Sequence, residues 1–127
     1  PRFIQKLIGG RAHEHVAIKP LFGMTDATDP NDPKLLRAFE DASPLNHVTS
    51  LAPPVLLFFS EPKGPLPENP RQGLGIHHPR FGDALKAKLD PLGVECILRH
   101  GDDYRDRERP EEAMYRDLVS FFATHLN

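Results

Sequence analysis

Tryptophan is absent from this chain of 127 residues and cysteine occurs once, so no internal disulfide can form and no Cys-x-x-Cys metal motif exists. Neither charge is in excess: 16 Lys and Arg stand against 18 Asp and Glu, a formal net charge of -2. Without a concentrated basic stripe to neutralise phosphates, nucleic acid is not expected as a partner. No apolar run approaches the roughly 20 residues that cross a bilayer, and the opening PRFIQKLIGG is too short in apolar residues for a secretory signal. The chain is therefore expected to be soluble and outside the membrane, with its compartment left open. Internal repeats and low-complexity tracts are also lacking.

What the sequence has in plenty is proline, 14 residues of it, half of them clustered in two loops. The stretch TDATDPNDP at 25–33 reads as a polar turn that ends by starting a helix, with Asp32 as N-cap and Pro33 in the first turn. Leu35, Leu36 and Phe39 give that helix an apolar side before it ends near Asp41. The second cluster, SEPKGPLPENPRQGLGIHHP at 60–79, is far longer than the usual connection of about 4–6 residues, and loops of that length are mostly functional or mobile. Near the start, Phe3, Ile4, Leu7 and Ile8 recur at helical spacing and stop at Gly9-Gly10.

The strongest pattern lies in residues 52–126. Behind Pro53 and Pro54, Val55 to Phe59 is an unbroken apolar run, which suits a parallel strand buried on both faces. Pro79 suits the first turn of a helix carrying Phe81, Leu85, Leu89 and Leu92, and Pro91 with Gly93 ends it. A second strand is expected over Val94 to Arg99, with Cys96 as a small core residue inside it. A last helix starts near Pro110, places Glu111 and Glu112 at its positive end, and turns Met114, Leu118, Phe121, Phe122 and Leu126 to one side.

This order, with the phrases ASPLNHV and APPVLLFF, resembles the C-terminal part of an α/β-hydrolase, closest to the bacterial carboxylesterase and prolyl-oligopeptidase-like branch. The resemblance covers residues 34 to 127 and implies an α/β architecture, a partial layered fold with a small parallel sheet flanked by helices. Residues 1–33 would be an insertion or lid-like segment. A whole hydrolase of this kind is about twice as long, since its sheet needs more strands. The implied reaction is hydrolysis of a carboxylic ester or related acyl bond through an acyl-enzyme.

The residues that such a reaction needs are out of place. A nucleophile elbow reads G-x-S-x-G, and none of Ser43, Ser50, Ser60 or Ser120 stands between such glycines. In the family the catalytic acid follows the first strand closely. SEPKGPLP puts Lys63 there, and Glu61, two positions early, is the nearest carboxylate. The histidine should follow the second strand, where GDDY supplies Tyr104; a phenol with an ordinary pKa near 10 is a poor base at neutral pH. His100, four residues earlier, is the substitute if the loop register differs. Glu61 and His100 are thus the acid and base candidates, with the nucleophile absent.

The pair His77-His78, on the long loop at the carboxyl end of the first strand, is the binding candidate, because ligands of open α/β sheets sit outside the carboxyl ends of their strands. A metal site would need three or four converging ligands. His13 and His15 flank Glu14 in another segment, there is no H-E-x-x-H, and Asp26, Asp29 and Asp32 lack EF-hand spacing, so no metal and no cofactor is expected. Asp102, Asp103 and Asp106 alternate with Arg105, Arg107 and Arg109 as a solvated face would. The function expected is that of the C-terminal part of an ester hydrolase, inactive alone, with an ester or acyl small molecule as substrate. The alternative is a non-catalytic binding or interaction module on a degenerate hydrolase fold. Two strands leave sheet edges open, so a second copy or a missing N-terminal half is expected as partner.

Overall fold

The computed structural model describes residues 2–126, with the side chains of residues 2, 3 and 5 outside that description, Phe3 of the apolar series at helical spacing among them. Two parallel strands form its centre: β1 is Val55–Phe59 and β2 is Cys96–His100, paired in register from Val55 with Cys96 to Phe59 with His100. Pro53 and Pro54 have no N–H to offer, so pairing begins at Val55, whose N–H donates to Glu95 O at 2.9 Å. Five helices surround the pair: α1 is Arg2–Ile8, α2 is Ile18–Leu21, α3 is Pro33–Asp41, α4 is Arg80–Leu89 and α5 is Pro110–His125. The fold class is mixed α/β, helices around a small parallel sheet.

The alternation of side chains along β1 and β2 decides which helix covers which face. Val55, Cys96 and Leu98 pack with Leu85 and Leu89 of α4, together with Val48, Ala52 and Val94. Leu89, 1 % exposed, is the most enclosed of them. Gly82 lets α4 approach: a Cβ there would lie 2.5 Å from the Phe59 ring and 3.0 Å from Leu98. Burial pushes the Cys96 thiol above its ordinary range. After α4 a 3-10 turn over Asp90–Leu92 passes to Gly93, whose φ of +70 turns the chain back toward β2. On the opposite face Leu56, Ile97 and Arg99 meet Asp117 and Phe121 of α5. His125 Nε2 lies 2.8 Å from Glu95 Oε2 at the far end of that helix.

Several expected details change. Val94 is buried, yet the ladder starts two residues later, at Cys96, because Val94 closes the α4 turn by donating to Leu89 O at 3.2 Å. Leu92 belongs to the 3-10 turn rather than to the helix and is 39 % exposed. β1 is not buried on both faces: its residues are half-buried and Phe58 is exposed. α5 turns Met114, Leu118 and Phe121 inward but leaves Phe122 and Leu126 exposed, beside Tyr115 and Val119. Its apolar residues form two neighbouring stripes, and a sheet of two strands is wide enough to cover one. The helix after the first proline cluster does begin as its capping residue requires, with the Asp32 carboxylate accepting the Lys34 N–H at 2.8 Å.

Candidate functional site

The loop between β1 and α4 is stitched down at both ends and in its middle. His100 and His78, 6 % and 2 % exposed, are the buried histidines among the described residues. In each, Nδ1 accepts a backbone N–H two residues on: Asp102 at 3.0 Å for His100, Arg80 at 3.1 Å for His78. An accepting Nδ1 places the ring proton on Nε2. Nε2 of His100 then donates to Glu61 O at 2.7 Å, and Nε2 of His78 to Gly64 O at 3.0 Å. Further along, Gly73 N–H donates to Arg11 O at 3.0 Å and Gln72 Nε2 to Glu14 O at 2.6 Å. Gly75, with φ +89, brings the loop against Ile8 and Leu66, where a Cβ would sit 3.0 to 3.1 Å from their methyl groups. Proline content and these anchors make an ordered connection of a segment without helix or strand.

The structure brings Glu61 and His100 together through the main chain. It is the Glu61 carbonyl that meets the imidazole, while the Glu61 carboxylate accepts the His77 N–H at 3.3 Å. Both nitrogens of His100 are occupied, and the Asp102 carboxylate lies beside the ring with Oδ2 3.2 Å from Nδ1. A general base needs a free nitrogen facing its substrate. Lys63 and Tyr104, which stand where the hydrolase resemblance would put an acid and a histidine, are engaged as well. Lys63 Nζ donates to Asp103 Oδ1 at 3.4 Å, and the Asp103 carboxylate also accepts the His100 N–H at 2.7 Å, which holds its pKa below the ordinary range. Tyr104 is buried and donates its hydroxyl to Asp117 Oδ2 at 2.8 Å; burial pushes its phenol further up.

Asp117 was not legible as a site residue, although it interrupts the inward stripe of α5 between Met114 and Phe121. It accepts Arg99 Nε at 2.8 Å on the same oxygen that takes the Tyr104 hydroxyl. Those two bonds, the arginine first, lower its pKa. The trio fastens α5 to β2 and to the 3-10 turn Gly101–Tyr104 between them.

On the other side of the sheet, beyond β1, lies a cleft of about 660 Å³. In a parallel ladder alternate residues bond to one neighbour. Val55 bonds toward β2, so Leu56 and Phe58 direct their backbone groups to the open edge that borders this cleft. Phe22 of the segment after α2 and Phe39 of α3 form its far wall, with rings edge to face at 4.6 Å between centroids. Leu57, Ile76 and Phe81 supply the near wall. No Asp, Glu, Lys or Arg is among its described lining residues; Ser43, Ser60 and His77 are its polar side chains. The His77 imidazole makes no hydrogen bond among the described residues.

His77 and His78 therefore go separate ways. His77 lines the apolar cleft, whereas His78 turns into a smaller pocket of about 250 Å³ at the carboxyl ends of both strands, with Phe59, Lys63, Asp83 and His100. Among the described residues no group of three or more His, Cys, Asp or Glu is placed to hold a metal, and no helix is long and apolar enough to cross a membrane. Set against protein-family models, curated proteins and solved structures, the chain finds no match in any of the three.

Proposed function

We propose that this chain is the ligand-holding C-terminal part of an α/β-hydrolase-like protein, taking a small apolar ester or other acyl compound in the cleft beside β1, without a catalytic triad of its own. The observation that carries this reading is the cleft: about 660 Å³, uncharged among its described residues, at the carboxyl end of a parallel strand. A volume of that size suits a small molecule, and walls of Phe22, Phe39, Leu57 and Phe81 favour apolar groups by removing them from water. Ser43, Ser60 and His77 offer hydrogen bonds of the kind that orient a carbonyl group. The absence of a glycine-flanked serine, together with the backbone partners of His100, supports binding over turnover.

Binding of octanamide, an acyl compound that resists hydrolysis, tests this by isothermal titration or by chemical-shift mapping. Saturable binding should perturb Ile76, His77 and Phe81 and should be lost in Ala42→Trp, which fills the cleft from the end of α3. Binding unaltered by that substitution, or none to the folded chain, would overturn the proposal. The second reading, an interaction module, draws on the exposed Tyr115, Val119 and Phe122 of α5 and on Leu126 just after it.

A further inference from the structure

A cavity of about 590 Å³ lies on the opposite side of the sheet from the apolar cleft, between the segment 103–109 and the first half of α5. Four arginines line it, Arg99, Arg107, Arg109 and Arg116, with Asp103, Glu108 and Asp117 as its acids. Most of this charge is already used inside the fold. Asp117 takes Arg99 and the Tyr104 hydroxyl, each at 2.8 Å. Asp103 takes the His100 N–H at 2.7 Å and Lys63 at 3.4 Å. Arg109 is held by Glu112 at 3.0 Å, a residue of the helix just outside the cavity. What remains is Arg107 and Arg116, whose guanidinium groups make no hydrogen bond or ion pair among the described residues, against Glu108 as the one lining acid without a hydrogen-bonding or ion-pair partner.

We infer that this cavity binds the oxyanion group of a small molecule, with Arg107 and Arg116 as its ligands and Glu108 as a brake on affinity. A guanidinium presents N–H groups in a planar fork that matches the oxygens of a phosphate or carboxylate. Both guanidinium groups line one cavity: Arg116 has no partner to leave among the described residues, and Arg107 acts on Asp117 through its charge without a hydrogen bond, so each keeps donors for an anion. Because Asp117 fixes Arg99 and Tyr104 at the back wall, the cavity keeps its shape without a ligand. Its occupant is distinct from that of the apolar cleft, which offers no cation among its described residues.

Inorganic phosphate is the probe, titrated into the intact chain at fixed ionic strength while the arginine Nε–H resonances are followed. The Arg107 and Arg116 signals should shift saturably. The double variant Arg107→Ala/Arg116→Ala should bind at least tenfold more weakly with a melting temperature close to the parent's, since neither guanidinium makes a hydrogen bond or ion pair among the described residues and Arg107 reaches Asp117 through its charge alone. Glu108→Gln should bind severalfold more tightly. Linear, unsaturable shifts, equal shifts with chloride, or affinity unchanged in the double variant would overturn the site, and weaker binding in Glu108→Gln would remove the brake assigned to that residue.

Discussion

His78 and His100 hold one loop by the same pair of bonds: each accepts a backbone N–H at Nδ1 and donates from Nε2 to a carbonyl, Gly64 O for the first and Glu61 O for the second. These carbonyls open the connection between β1 and α4, so the histidines fix where it leaves the sheet. Removing either ring takes its protein partner from a carbonyl and an amide whose residues are half-buried or exposed, so water recovers part of the loss and each lost bond costs about 0.5–1.5 kcal/mol. His100→Ala should therefore lower stability by about 1–3 kcal/mol, and His78→Ala by a similar amount. Chemical denaturation measures both, and hydrogen exchange should speed up at residues 61–64. A His100→Ala variant as stable as the parent would show that the ring does not hold the loop.

The hold of α5 on the sheet depends on pH through Asp117. Its carboxylate is depressed in the folded chain by Arg99 and then Tyr104, and Asp103 is depressed by the His100 amide. A carboxylate with a folded pKa below its unfolded value of about 3.9 contributes stability that is present above that value and lost as pH falls through the folded one. Melting temperature should be level near neutrality and fall below about pH 4. Asp117→Asn should flatten part of that fall and cost about 1 kcal/mol at pH 7, a small sum because the pair is partly exposed. An identical acid limb in the variant would remove Asp117 from the account.

Self-association is a further expectation. Among the described residues no second strand pairs with the edge of β1 at Leu56 and Phe58, and α5 with the residue after it exposes Tyr115, Val119, Phe122 and Leu126. Light scattering at micromolar concentration should give a mass above that of the 14.3 kDa chain. A monodisperse species at the monomer mass would contradict this.

How far the sequence could be read depended on whether a residue's partners were close in the chain. Asp32 capping α3, the strand behind Pro53-Pro54 and the helix starting near Pro79 are local effects, and each occurs where composition and spacing place it. The exit of Leu92 from its helix and the exposure of Phe122 and Leu126 depended on the width of the sheet, which helical periodicity does not report. The site was legible in part. His77 lines the cleft at the carboxyl end of β1, but the wall formed by Phe22 and Phe39 comes from a segment with no motif. The roles of Glu61 O and Gly64 O were hidden for another reason. A carbonyl is the same at every residue, so only the fold decides which one a histidine meets.

Under the proposed function the cleft holds an acyl compound that the chain's own residues do not cleave. Incubation with p-nitrophenyl octanoate, following bound ester and released nitrophenol together, should show saturable retention of the ester with nitrophenol released no faster than in buffer. A burst of nitrophenol stoichiometric with the chain, abolished by Ser43→Ala or Ser60→Ala, would contradict it.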